Sequence, residues 1–75
     1  MDMKYYPNPV ENIFHLSSEE NISKVSVYDT AGKLVLVKRF NSKSVSLDIC
    51  KLTAGDYSVK IEGKSKTKEF KIIKK

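Results

Sequence analysis

The stretch that decides the fold is VSLDICKLTAGDYSVKI, residues 45–61. Apolar and polar side chains alternate from Val45 to Ile49 and again from Tyr57 to Ile61. Successive side chains of a β-strand point to opposite faces of the sheet, so each run has one buried and one exposed face. Gly55, between the two runs, indicates a tight turn. The stretch therefore predicts two β-strands separated by a turn.

The same alternation recurs elsewhere in the chain, in runs about 8–12 residues apart, which is typical of an all-β sandwich or barrel. No segment has a helical period of useful length. We therefore predict one all-β domain over residues 1–75, with Met1 to Lys4 interpreted as an added or linker segment. The predicted core consists of Phe14, Leu16, Val25, Val27, Val45, Leu47, Ile49, Leu52, Tyr57, Val59, Ile61, Phe70 and Ile72.

Turn-forming residues separate the runs. The predicted turns are 17–21, 29–32, 41–43, 53–56 and 62–66. Gly32 and Gly55 each end a tight turn, so both are expected to adopt positive φ. Tyr57 follows Leu52 and Gly55 at a spacing that suits the tyrosine corner of immunoglobulin-like sandwiches. Its hydroxyl is therefore expected to bond the backbone near Leu52 or Thr53.

The run Leu34-Val35-Leu36-Val37 is apolar on both faces. It predicts either a central strand or a strand whose outer face is covered. Dimerisation stays open on this evidence, as it does for the single thiol of Cys50. The run is far shorter than the ~20 apolar residues of a membrane-spanning helix, and the first residues lead into no apolar segment of a signal peptide.

The net charge is +5, and much of it lies in the last twelve residues. The lysines there are Lys64, Lys66, Lys68, Lys71, Lys74 and Lys75. They fit a solvated face that guards an edge strand, a recognition tag for a partner or an anionic surface, or a nucleic-acid patch. The last is disfavoured, because Arg39 is the only arginine and arginine dominates base and phosphate recognition.

Groups for catalysis or metal binding are sparse. His15 is the only histidine, and the alternation places it on a polar face. Lys51 favours a lower pKa for the neighbouring Cys50 thiol, but no histidine is near to act as a base. The three aspartates beside turns, Asp29, Asp48 and Asp56, are expected to bond local backbone amides. The sequence therefore predicts a non-enzymatic domain with no catalytic residues, no metal and no cofactor.

The segment Tyr6-Pro7-Asn8-Pro9-Val10 is stiff, because each proline fixes its own φ and restricts the residue before it. Such a segment is not a central strand or a helix. It predicts an edge strand or the start of a sheet.

Taken together, these motifs resemble the type A C-terminal sorting domain of the type IX (Por) secretion system of Bacteroidetes. The resemblance covers almost the whole chain. The matching segments are Tyr6-Pro7-Asn8-Pro9-Val10, Phe14 with Leu16, Val25 to Asp29 with Ala31-Gly32-Lys33, Val45 to Ile49 with Leu52, Gly55 and Tyr57, and Thr67, Phe70 and the residues from Ile72 to Lys75. Cys50 stands where the family often has serine.

The resemblance implies an immunoglobulin-like β-sandwich of about seven antiparallel strands. It also implies a non-catalytic secretion signal on an N-terminal cargo domain, which passes through the periplasm and outer membrane to the cell surface or the medium. The implied partners are the outer-membrane translocon and a sortase-like surface protease. The residues implied in recognition are Tyr6, Pro7, Asn8, Pro9, Gly32, Lys33, Gly55, Tyr57, Thr67, Phe70, Lys71, Lys74 and Lys75.

Two other functions remain open from the residues. One is an adhesive or carbohydrate-binding sandwich, for which Tyr5, Tyr28 and Phe40 are candidate aromatic platforms. The other is a small nucleic-acid-binding barrel.

Overall fold

The computed structural model describes residues 3–6 and 10–75. These residues form five strands: β1 (Met3–Tyr6), β2 (Ile13–Tyr28), β3 (Leu34–Asp48), β4 (Gly55–Gly63) and β5 (Thr67–Lys74). All pairs of neighbouring strands are antiparallel, in the order β1-β2-β4-β5 with β3 also on β2. No helix occurs in the described residues. The all-β prediction is therefore confirmed.

The strand count differs from the sequence-based prediction. The turns predicted at 17–21 and 41–43 are wrong, because both segments lie inside the continuous strands β2 and β3. The two strands pair on both sides of this region, and register shifts between Ser17 and Ile22 and between Ile22 and Lys24 absorb the unequal numbers of residues. Asn21 also donates its side-chain amide to Asn41 Oδ1 across the pair, at 3.0 Å. Bulges bend a paired strand without ending it, so β2 and β3 each continue as one long strand.

The sheet curls because β2 has different neighbours along its length. Its residues 15–18 pair with β1, whereas residues 22–28 pair with β4. Register shifts occur between Ser17 and Ile22 and between Ile22 and Lys24. A shift of one residue exchanges the two faces of a strand. The buried side chains accordingly change phase from Phe14 and Leu16 to Val25 and Val27.

The predicted core is largely confirmed. Leu52 and Phe70 differ from the prediction, because they are partly buried and pack against the core from its margin. Val10 and Ile22 are fully buried and were not predicted. Tyr5 of β1 stacks on Phe70 with ring centroids 4.0 Å apart. This contact brings the first strand against the last one.

The turn between β2 and β3 is held by the carboxylate of Asp29, which accepts hydrogen bonds from the backbone N–H groups of Ala31 and Lys33 at 3.0 and 2.9 Å. Gly32 has φ +82° and Gly55 has φ +150°. Both glycines therefore adopt positive φ, as predicted. A Cβ at Gly32 would meet no atom within 4 Å, so the conformation alone demands glycine there.

Replacing Gly32 with valine is expected to lower the free energy of unfolding by about 1 kcal/mol or more. The reason is that a β-branched residue is strained at positive φ. Urea denaturation of Gly32→Val and Gly32→Asn measures the effect. Asparagine tolerates this backbone region, so a loss as large in Gly32→Asn as in Gly32→Val would contradict the explanation.

The apolar run Leu34–Val37 is neither central nor covered in the described structure. It begins β3, which pairs only with β2 among the described residues. Val35 and Leu36 pack partly against the core, whereas Leu34 and Val37 are 47% and 45% exposed. The run therefore forms an exposed apolar edge.

Candidate functional site

The C-terminal end of β5 is held from both sides. On one side Gly55 and Tyr57 of β4 pair with Lys74 and Ile72. On the other side Val10 forms a parallel bridge with Lys74. The Val10 N–H donates to the Ile73 carbonyl at 2.7 Å, and the Lys75 N–H donates to the Val10 carbonyl at 2.8 Å. Val10, which directly follows Pro9, therefore holds the C-terminal end of β5 in place.

The burial of Lys74 differs from the sequence-based prediction. It was expected to be an exposed end residue that a partner could reach, but it is only 8% exposed. Lys74 lies on the same face of β5 as buried Ile72, so its aliphatic stem packs inward. Its ammonium donates to the Lys75 carbonyl at 2.9 Å. Lys71 and Lys75 are exposed.

An open groove of about 480 Å³ adjoins this end of β5. Its floor follows three paired residues, Tyr28, Ser58 and Lys71, on the outer face of the sheet. Its rim is formed by the turn after β2. The full lining is Tyr28, Asp29, Thr30, Gly32, Asp56, Tyr57, Ser58, Glu69 and Lys71. The structure thus brings three predicted recognition residues together in one groove.

The other predicted residues are dispersed. Lys33 is exposed at the turn after β2, and Thr67 lies at the far end of β5. Phe70 packs in the aromatic cluster with Tyr5. Tyr6 is 59% exposed and stacks on His15, with ring centroids 5.0 Å apart. The segment Pro7-Asn8-Pro9 lies outside the described residues.

The corner predicted at Tyr57 is confirmed. The Tyr57 hydroxyl donates to the Thr53 carbonyl at 2.6 Å and lies 3.2 Å from Thr53 Oγ1. The ring is buried in the core. The hydrogen bond therefore ties the loop before β4 to the strand that pairs with the tail.

A Tyr57→Phe change is expected to lower the free energy of unfolding by about 1 kcal/mol, the usual net contribution of one such hydrogen bond. Tyr28→Phe is the matched control, because the Tyr28 hydroxyl makes no hydrogen bond within residues 3–6 and 10–75. We expect the control to stay within about 0.5 kcal/mol of the parent. Thermal or urea unfolding measures both, and equal midpoints for Tyr57→Phe and the parent would count against the corner.

The polar groups considered as reactive are engaged in local contacts. His15 Nδ1 lies 2.9 Å from Ser46 Oγ. The Asp48 carboxylate accepts a hydrogen bond from the Cys50 backbone N–H at 3.0 Å, which lowers the pKa of Asp48. A hydrogen bond with Asp48 raises the pKa of the Cys50 thiol, and this outweighs the lowering by Lys51 that the sequence indicated. Asp29 and Asp48 bond local amides as predicted.

Within residues 3–6 and 10–75, two kinds of feature are absent. No three His, Cys, Asp or Glu side chains there lie close enough to hold a metal ion together. No helix there is long and apolar enough to cross a membrane. Of the candidate aromatic platforms, Tyr28 lines the groove, while Tyr5 and Phe40 pack against core residues.

Sequence reasoning missed the structural role of Val10. Its only signal was an apolar side chain directly after Pro9. It also missed the groove, because Tyr28, Ser58 and Lys71 come from three different strands. Nothing local in the sequence indicates that these residues pair in one row.

Comparison with known proteins identifies the family. No match to the chain was found among curated proteins. A family model described as the secretion system C-terminal sorting domain matches residues 4–75, which includes all five strands except the first residue of β1. The chain therefore belongs to the C-terminal sorting domain family of the type IX (Por) secretion system.

Proposed function

We propose that this chain is a non-catalytic C-terminal signal that directs an N-terminal cargo domain through the outer membrane by the type IX secretion system. The observation that carries the proposal is the family match over residues 4–75. The cargo would reach the cell surface or the medium. The whole chain, residues 1–75, would act as one sorting domain.

The proposed partners are the outer-membrane translocon and a sortase-like surface protease that cleaves N-terminal to the domain. The exposed groups best suited to contact them lie near the tail: Lys71 and Lys75, with Gly32 and Lys33 in the neighbouring turn. Lys74 would act differently. Its burial and its pairing with Gly55 and Val10 support a role in fixing the tail.

The immunoglobulin-like sandwich is also part of the proposal. The first half of β2 pairs with β1 and with the end of β3, and the second half pairs with β4 and with the start of β3. Dividing β2 and β3 at the register shifts near Ile22 turns the five strands into seven strand segments. The tyrosine corner at Tyr57 supports the same architecture.

A carbohydrate-binding or adhesive role is the second candidate. It is favoured by the groove of about 480 Å³, in which the ring of Tyr28 lies beside the polar side chains of Asp56, Glu69 and Lys71. An aromatic ring with a few polar groups is a common arrangement in ligand sites. The family match does not require such a ligand.

The test is a fusion of residues 1–75 to the C-terminus of a periplasm-directed reporter, in a bacterium with a type IX system. An authentic sorting domain of the family is the positive control. We expect the reporter at the surface or in the medium. If the control exports the reporter and this chain leaves it in the periplasm, the secretion proposal is wrong, and a glycan-binding screen tests the second candidate.

A further inference from the structure

The outer edge of β3 from Leu34 to Arg39 is an unpaired strand edge in the described structure, because β3 pairs only with β2. In an antiparallel ladder, about half of the backbone N–H and C=O groups of an edge strand point away from its neighbour. Such an edge can pair with a further extended strand. The backbone here is therefore available to another chain.

Two exposed side chains of this edge, Leu34 and Val37, are apolar. Leu34 pairs with Tyr28 and Val37 pairs with Ser26, so both side chains lie on the outer face of the sheet. The outer positions of β5 differ in part, since the charged residues Glu69 and Lys71 accompany exposed Ile73 there. Charged residues commonly protect edges from unwanted pairing. The apolar part of the β3 edge lacks that protection.

Cations lie at both ends of the apolar run. Lys33 precedes it, and Lys38 and Arg39 follow it; all three are exposed. Lys38 pairs with Val25, on the core-facing side of the sheet. An added strand would therefore meet positive charge before and after its apolar centre, and acidic residues at those places would complement it.

The charges argue against a second copy of this chain as the occupant. An antiparallel register that brings all four apolar residues together places Leu34 opposite Val37. The same register places Lys33 opposite Lys38 at both ends. Like charges directly opposite each other destabilise a strand pair.

We propose that the β3 edge, Leu34 to Arg39, binds an extended strand of a partner protein that has an apolar centre and acidic residues at both ends. The partner would extend the sheet by β-strand addition, with backbone hydrogen bonds along the edge and apolar contacts at Leu34 and Val37. Carboxylates of the partner would lie near Lys33, Lys38 and Arg39. The binding itself does not depend on the proposed function, although its use in export does.

The direct test uses the intact 75-residue chain and two synthetic peptides with the same alternating apolar centre. One peptide carries glutamates at both ends and the other carries lysines. At low salt we expect the acidic peptide to bind about tenfold more tightly or better, since several charge pairs change sign. We also expect it to slow amide hydrogen exchange within residues 34–39. Equal binding of the two peptides, or no protection by either, would contradict the proposal.

Variants locate the interaction. Val37→Glu is expected to abolish binding of the acidic peptide, whereas Ile13→Glu, at a residue of 46% exposure on β2, is the matched control. A Lys38→Glu, Arg39→Glu double variant is expected to reverse the preference between the peptides. Each variant must keep the unfolding midpoint of the parent. If the edge amides are protected without peptide and the chain self-associates, a second copy occupies the edge and the proposal is wrong.

The reporter fusion separates this inference from the proposed function. We expect Val37→Glu to reduce export while Ile13→Glu does not. Normal export of Val37→Glu shows that the edge is not used in secretion and contradicts its role there. If the parent chain fails to export but still binds the acidic peptide at the edge, the proposed function fails and the edge site stands.

Discussion

Replacing Phe14 with alanine is expected to lower the free energy of unfolding by about 3–5 kcal/mol. The side chain is fully buried, and its ring lies 5.9 Å from the rings of both Tyr5 and Phe70. The change would therefore open a cavity where β1, β2 and β5 meet. A domain of this size has a total stability of about 4–11 kcal/mol, so a large fraction of the variant should be unfolded.

Urea denaturation followed by circular dichroism measures this loss. Ile13→Ala is the control, because Ile13 precedes Phe14 on β2 but points to the exposed face. The control is expected to change stability by no more than about 0.5 kcal/mol. Similar losses in the two variants would show that the assignment of the two faces of β2 is wrong.

Removing the final strand, residues 67–75, is expected to stop export of a fused reporter completely. The strand pairs with β4 from Gly55 to Glu62 and with Val10 near its end, and Ile72 fills the core. Deletion therefore removes both the tail and the packing that keeps the domain folded. The measurement is the share of reporter in the periplasm, at the surface and in the medium. Continued export without β5 would contradict the role assigned to it.

A second variant separates folding from recognition. Lys71 and Lys75 are exposed, so Lys71→Glu with Lys75→Glu should change stability by less than about 0.5 kcal/mol per site. Lys74 is unsuitable, since a glutamate there would be buried beside Val10. Loss of export by the folded double variant would support direct contact with the tail charges. Normal export would show that these two charges are not recognised.

The parts of the fold that could be predicted are those fixed by local pattern. In Val45–Ile49 and Tyr57–Ile61, every second side chain is apolar, so each strand has one apolar face. Once these segments are assigned as strands, the residues that are buried can be named. Gly32 and Tyr57 were also predictable, because a tight turn and a corner each depend on a few adjacent residues.

The parts that could not be predicted depend on pairing between distant residues. Polar composition indicated turns at 17–21 and 41–43, but β2 and β3 continue through both segments, with register shifts in their pairing there. The contact of Val10 with Lys74 joins the two ends of the chain and has no local signature. Lys74 was misplaced because its charge suggested exposure, although the alternation through Ile72 already pointed to the buried face.

The most direct test of the central claim compares one fusion in two strains. The reporter carries residues 1–75 at its C-terminus, and the strains differ only in whether the outer-membrane translocon of the type IX system is present. The proposal predicts surface or extracellular reporter in the first strain and periplasmic reporter in the second. The same distribution in both strains would contradict it.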